Sequence, residues 1–162
     1  MPTRSAWSSR AARREGGAGT FAAVETVLAR VTEEPLSVAE HEAAVADEAA
    51  GAVVSFAGVV RDHDGGRSVT ELEYVGHPSA PDLIAEIAAE FTARPDVHAV
   101  ALSHRVGLLA IGDVALACAV SASHRGQAFT ACAELVDEVK ARLPIWKRQV
   151  FTDGQEEWVA CP

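Results

Sequence analysis

The densest group of residues able to do chemistry lies between Val139 and Phe151. This stretch holds four cations and no carboxylate, in a chain whose formal net charge is −9. A local excess of positive charge in an acidic protein predicts a binding site for an anion. The alternative is a solvated helix end, where cations also complement the helix dipole. The four cations are Lys140, Arg142, Lys147 and Arg148.

Lys140 and Lys147 are the only lysines in the sequence, which has twelve arginines. The lysine ammonium loses its proton readily when it is desolvated or placed near other cations, so it can act as acid, base or nucleophile. Pro144 ends the helix between the two lysines, so their amines can face each other across the bend. A chance placement of two lysines is the alternative.

Ser123-His124-Arg125 stands at the predicted start of the longest helix. Free backbone N–H groups and the positive end of the helix dipole favour a phosphate at such a position, and both His124 and Arg125 add donors. The alternative is an ordinary helix cap by Ser123 with two exposed neighbours.

Arg61 and His104 are weaker candidates. Arg61 follows a predicted buried strand, where functional residues and ordinary surface arginines both occur. His104 and Arg105 lie inside a predicted strand, where their side chains face opposite ways, so we interpret them as structural. The signature motifs of P-loop, α/β-hydrolase and zinc-protease sites are absent from the sequence.

The elements that must position these residues alternate between strands and helices. Ser37 and Glu40 form a capping box for a helix that Gly51 closes. Ser79 and Asp82 cap a second helix, which ends before Pro95. The third helix runs from Ser123 to Leu143, with an apolar stripe at Phe129, Cys132, Val136, Val139 and Leu143. Strands are predicted at Thr26–Val31, Ala52–Val60, Val69–Val75, Val97–Val106, Val114–Ser123, Ile145–Phe151 and Trp158–Val159.

This order of elements predicts an α+β fold with a mainly antiparallel sheet. Residues 1–20 are rich in Ser, Ala, Gly and Arg and are predicted to be a disordered tail, followed by one domain over residues 21–162. Cys118 and Cys132 fall in apolar stretches and, with Cys161, make an odd number without a CxxC pair. They are therefore interpreted as reduced thiols, and no zinc site or disulfide framework is expected.

Composition and charge exclude several classes of function. The acidic body predicts no nucleic-acid binding, and no apolar run reaches the length of a membrane helix. The N-terminus has no apolar secretory core, so a cytoplasmic location is expected.

The chain resembles the large, catalytic subunit of molybdopterin synthase in the order and spacing of several motifs from about residue 25 onward. The matching segments are Val54–Arg61, Leu72–Tyr74, His77-Pro78, His104–Gly107, Gly112-Asp113, Ser123–Arg125, Ala128-Phe129, Lys140–Arg148 and Trp158.

The resemblance implies an α/β hammerhead-type fold and a homodimer that binds two small ubiquitin-like subunits, a heterotetramer overall. Each small subunit carries a C-terminal Gly-Gly thiocarboxylate, which donates sulfur to cyclic pyranopterin monophosphate and so builds the dithiolene of molybdopterin. By motif match, Lys140 and Lys147 take the catalytic positions. No cofactor or metal is implied, and the residues that match the substrate pocket are Val59, Val60, Arg61, His124, Arg125, Arg148 and Gln149.

The sequence departs from the family pattern at two places, and these departures support an alternative hypothesis for the function. Val75-Gly76 replaces a common Glu-Ala, and Gln149 occupies a position that is often acidic. The alternative function is therefore a non-catalytic module that binds a ubiquitin-like partner.

Overall fold

The computed structural model describes residues 28–160. The predicted tail over residues 1–20, the first two residues of the strand predicted from Thr26, and Cys161 lie outside this range. The helices are α1 (Val38–Ala44), α2 (Ala80–Thr92) and α3 (Arg125–Arg142). The strands are β1 (Leu28–Thr32), β2 (Ala52–Val59), β3 (His63–Asp64), β4 (Arg67–Gly76), β5 (Val97–Arg105), β6 (Gly107–Leu109), β7 (Val114–Ala122), β8 (Ile145–Phe151) and β9 (Glu156–Ala160).

The first sheet has the order β1-β5-β7-β2, with β1 parallel to β5 and the other pairs antiparallel. Its two central strands are buried on both faces. Val100, Leu102, Cys118 and their neighbours pack against α2 and α3, whereas the alanines between them pack beneath α1. Small residues on one face let α1 approach the sheet closely, which explains the alternation of large and small side chains along β7.

The second sheet is antiparallel, with the order β3-β4-β8-β9 and with β6 added to the free edge of β4. The side chains of this sheet lie on its two faces, and residues that are paired across neighbouring strands lie on the same face. Leu72, Tyr74, Lys147, Gln149 and Val159 lie on one face, which turns toward the first sheet and the end of α3. Trp146 and Trp158 lie on the other face and are exposed.

The α+β class with mainly antiparallel sheets is confirmed, and several boundaries differ from the predictions. Helix α1 ends at Ala44 rather than Gly51, since the chain leaves the helix at Val45 and makes a separate turn over residues 47–50. Its cap is half of a capping box: Ser37 accepts from the backbone of Glu40, but the Glu40 carboxylate binds Arg30. The segment after β2 forms the short strand β3 and the turn into β4, and this two-residue turn needs the positive φ of Gly65 and Gly66.

Helix α3 starts two residues later than predicted. Ser123 does not cap it; His124 is the N-cap residue, and the Ser123 hydroxyl pairs with His98 at 2.9 Å. Phe129 was assigned to the apolar stripe but is 63% exposed. Cys118 and Cys132 are buried thiols, as predicted, with their sulfurs 3.8 Å apart. Among residues 28–160, no helix is long and apolar enough to cross a membrane.

Candidate functional site

A cavity of about 490 Å³ lies between the two sheets, next to the C-terminal end of α3. Strand β8 lines it with every second residue because side chains alternate across a strand. Ile145, Lys147 and Gln149 therefore point to the cavity, and Lys140 reaches it from the last turn of α3. The two lysines of the chain thus line one cavity, as the bend at Pro144 allows.

Lys147 is held in the cavity by a carboxylate. Its Nζ lies 2.9 Å from Oδ2 of Asp64, and the same oxygen accepts from the amide of Gln149, also at 2.9 Å. The hydrogen bonds from Lys147 and then Gln149 hold the pKa of Asp64 below its usual value. Arg61 is a more distant partner of Asp64, at 3.5 Å.

Lys140 is exposed and has no hydrogen bond or ion pair to another residue of the described range 28–160. It lies near His104, which the sequence indicated as structural but which also lines the cavity. Burial is the main cause that lowers the pKa of His104 to about 4, and the nearby Lys140 charge also lowers this pKa. A hydrogen bond to the Arg105 carbonyl acts in the opposite direction and raises it. The imidazole is therefore neutral at physiological pH, with its Nδ1–H donated to that carbonyl at 2.8 Å.

The depressed pKa of His104 predicts a loss of stability in mild acid. As the pH falls below about 6.5, the unfolded chain takes up a proton at this residue before the folded chain does, so the free energy of unfolding decreases until about pH 4. The loss is about 3 kcal/mol at most. Denaturant titrations at pH 7 and pH 4.5 should show that His104→Gln removes this part of the pH dependence. The exposed His77→Gln is the control, and an unchanged pH dependence in His104→Gln would contradict the assignment.

Val59, Val60 and Arg61 lie where β2 ends at the cavity. Val60 is buried, whereas Val59 is 48% exposed, and the Arg61 side chain is 66% exposed at the rim. Among the lining residues, three cations stand against one carboxylate, although the whole chain is acidic. The cavity is therefore suited to an anionic ligand.

His124 and Arg125 are not brought to this cavity within one chain. They stand at the N-terminal end of α3, while Lys140 is in its last turn. Fifteen residues of helix separate Arg125 from Lys140, which is about 22 Å along the axis. Both side chains are exposed, so they remain accessible to a ligand or another chain.

Arg148 also lies away from the cavity. As the neighbour of Lys147 and Gln149 in β8, it points to the opposite face of the sheet. There it binds three carboxylates, those of Glu71 at 2.5 Å, Glu73 at 3.0 Å and Glu156 at 3.0 Å. Arg142, the fourth cation of the segment, is likewise neutralised by Glu86 and Glu90 of α2 and by Glu138.

The sequence analysis did not assign Asp64, Tyr74 or His104 to the site, although all of them line the cavity. Asp64 is the last residue of the two-residue strand β3 and is 83 positions from Lys147, so no local pattern connects them. His104 packs edge-on against the Tyr74 ring at 5.1 Å. Within the described range, no group of three or more His, Cys, Asp or Glu side chains is arranged to hold a metal ion.

Residues 31–142 match the model of the protein family described as "MoaE protein". This range includes Lys140 and ends before Lys147. The molybdopterin synthase catalytic subunit of Nostoc sp. is 39% identical over 132 residues, which cover 80% of each chain. Catalytic subunit 1 of Mycobacterium tuberculosis is also 39% identical, over 80% of this chain and 88% of that protein.

The fold is shared with a solved structure of similar size. The crystal structure of molybdopterin synthase from Staphylococcus aureus superposes with a TM-score of 0.75 at 31% identity. The superposition covers 82% of this chain and 96% of that chain. The strands and helices that form the cavity therefore belong to an architecture that this structure has in common with the present one.

Proposed function

This chain belongs to the MoaE protein family of molybdopterin synthase catalytic subunits, and we propose that its cavity is where sulfur is transferred to a phosphorylated pterin. The donor is the C-terminal Gly-Gly thiocarboxylate of a small ubiquitin-like subunit, and the acceptor is cyclic pyranopterin monophosphate. The product is the dithiolene of molybdopterin, an intermediate in molybdenum cofactor biosynthesis.

Each transfer exchanges one sulfur for one oxygen. The thiocarboxylate sulfur bonds to an oxygen-bearing side-chain carbon of the pterin, and the carbon–oxygen bond at that carbon breaks, so that its oxygen leaves protonated as water or stays on the phosphate. A second water then cleaves the bond between the sulfur and the glycine carbonyl carbon, and the carrier leaves as a carboxylate. A second carrier repeats the exchange at the neighbouring carbon. Both reactants are anions, so the site must neutralise negative charge and handle protons in a space that excludes bulk water.

The observation that carries the proposal is the convergence of Lys140 and Lys147 on one cavity of about 490 Å³. Sites for small molecules and cofactors have volumes of roughly 300–1,000 Å³. A Gly-Gly end has no side chains, so it can enter such a space beside a pterin. Two ammonium groups there can neutralise the thiocarboxylate and the charge that develops as its carbonyl is attacked.

The lysines differ in their surroundings and so in their roles. Lys147 is 18% exposed and is held by Asp64 at 2.9 Å, so its charge is fixed in position. Lys140 is exposed and carries no ion pair within residues 28–160, so it can move toward the incoming tail or exchange a proton with it. Arg61 at the rim and the neighbouring Val59 and Val60 complete the wall for the phosphate end of the substrate.

His124 and Arg125 contribute to the reaction at the cavity of a second copy of the chain. They cannot reach the cavity of their own chain, which lies about 22 Å away along α3. Phe129 is one helical turn after Arg125, on the same side of α3, and is 63% exposed. An exposed aromatic beside an arginine that has no ion pair within residues 28–160 supports a homodimer contact here, which would bring His124 and Arg125 close to the partner's substrate. Sedimentation that finds only monomers at micromolar concentration would contradict this part of the proposal.

Two small carrier subunits bound to such a homodimer make a heterotetramer. Arg148 contributes to the site indirectly in this arrangement, because its three glutamates fix β4, β8 and β9 around the cavity.

The reaction is expected to take place in the cytoplasm, where Cys118 and Cys132 stay reduced although their sulfurs are 3.8 Å apart. Recovery of the protein from a secreted fraction would contradict that location.

One experiment separates the enzyme from the alternative, a non-catalytic module that binds a ubiquitin-like partner. Purified protein is mixed with thiocarboxylated small subunit and the cyclic precursor, and molybdopterin is measured by fluorescence after oxidation. The enzyme forms product in an amount limited by the thiocarboxylate. A stable complex with the small subunit that forms no product would establish the binding module instead.

A further inference from the structure

We infer that Asp64 is a positioning residue for the reaction, which holds the Lys147 ammonium at the cavity wall and is itself fixed by Gln149. This inference rests on the proposed function and assigns a role to a residue that the motifs did not include. It explains how Lys147 can keep a defined position at the end of a flexible side chain.

A tight hairpin of the backbone positions Asp64 beside Lys147 at the cavity wall. Asp64 is the last residue of β3 and pairs with Arg67 across the two-residue turn of Gly65 and Gly66. Both glycines have positive φ, which side chains of other L residues rarely allow. The short hairpin therefore fixes the carboxylate at the edge of the second sheet, facing β8.

Gln149 fixes the carboxylate from the other side. Its amide nitrogen donates to Asp64 at 2.9 Å and to Glu157 at 3.0 Å. A carboxylate only accepts hydrogen bonds, so the nitrogen of Gln149, not its oxygen, must face these two groups. Gln149 is 1% exposed, so the packing around it leaves its side chain little freedom. Asp64 is in this way connected to a rigid part of the sheet.

The contact differs from an ordinary surface ion pair. Exposed pairs contribute little, since their long side chains lose entropy and water screens the charges. Here the Lys147 side chain is 18% exposed and the Asp64 side chain 32% exposed, and one oxygen of Asp64 serves both Lys147 and Gln149. Because these donors lower the pKa of Asp64, the carboxylate remains ionised throughout the physiological range. The lysine is therefore oriented by a fixed charge.

The test compares Asp64→Asn with the wild type in the complete reaction with thiocarboxylated small subunit and precursor. Asn keeps the size of the side chain and removes its charge. We expect kcat to fall about 10- to 100-fold, as for a misplaced catalytic group, while KM for the precursor and the affinity for the small subunit change less than about 3-fold. Asp64→Glu restores a carboxylate, and its kcat should recover to within about 5-fold of the wild-type value.

The control is Asp153→Asn, which removes the carboxylate of a surface pair with Arg67 outside the cavity. Its kcat should equal the wild-type value. Wild-type kcat in Asp64→Asn, a similar loss in both variants, or a loss that follows a lower melting temperature would each overturn the inference. A wild-type protein that forms no product would instead refute the proposed function, so the two failures are distinguishable.

Discussion

Replacement of Lys147 by alanine is expected to lower turnover by about 10²- to 10³-fold, the usual cost of losing one positioned group that stabilises charge in a transition state. Affinity for the small subunit should change less than about 3-fold, because the Lys147 side chain lies at the cavity wall and is only 18% exposed. The fold should remain intact, since Gln149 still donates to the Asp64 carboxylate. Single-turnover formation of molybdopterin at saturating carrier measures the chemical step, and calorimetry measures carrier binding.

Two further variants make the Lys147 result specific. Arg30→Ala removes a cation that pairs with Glu40 at 2.7 Å and does not line the cavity, and it should turn over at the wild-type rate. Lys147→Arg keeps the positive charge but replaces the compact ammonium with a larger, planar guanidinium group. The rate of this variant should therefore lie between those of the wild type and Lys147→Ala. A wild-type rate in Lys147→Ala would refute a catalytic role for this residue.

Phe91→Ala is expected to produce the largest loss of stability. Phe91 lies in α2, is 1% exposed and packs in the main core between the helices and the first sheet. Removing a buried phenylalanine side chain costs about 3–5 kcal/mol through lost burial and the cavity that remains. The variant also loses the stacking of Arg94, whose guanidinium carbon is 3.7 Å from the ring centre. Denaturant unfolding monitored by circular dichroism gives the free energy of unfolding.

Phe129→Ala is the matched control for Phe91→Ala. It removes the same side chain from a position that is 63% exposed, so the free energy of unfolding of the isolated chain should change by about 0.5 kcal/mol or less. If Phe91→Ala does not fold, Phe91→Leu should give a smaller loss of the same sign. Equal losses at positions 91 and 129 would contradict the assignment of the core.

The fold was largely predictable because the strongest patterns reflect burial. The alternation along β7 and the helical spacing of Ile84, Ile87 and Phe91 correspond to faces that the structure buries. The predicted ends of two helices were wrong because a local capping signal in the sequence was not used as a cap in the structure. Gly51 looked like the end of α1, but the chain leaves the helix at Ala44. Ser123 looked like a cap, but its hydroxyl binds His98 from a neighbouring strand.

The site was predictable only in part, because much of it depends on contacts between distant segments. The lysines were found from their rarity and from the bend between them, and both line the cavity. A pattern of cations cannot indicate which of them are neutralised: Arg142 and Arg148 meet glutamates brought from α2, β4 and β9. Asp64 meets Lys147 only because β3 and β8 both pair with β4, and the distance from His124 to the cavity follows from the length of α3.

Coupling of the carrier tail to the chain is the most direct test of the central claim, that the tail enters the cavity between Lys140 and Lys147. The unmodified small subunit, which ends in a Gly carboxylate, is mixed with the protein and activated with a carbodiimide, and cross-linked peptides are identified by mass spectrometry. We predict an amide bond between the terminal glycine and Lys140 or Lys147, lost when the Gly-Gly end is deleted. Complex formation without coupling to either lysine would contradict the account.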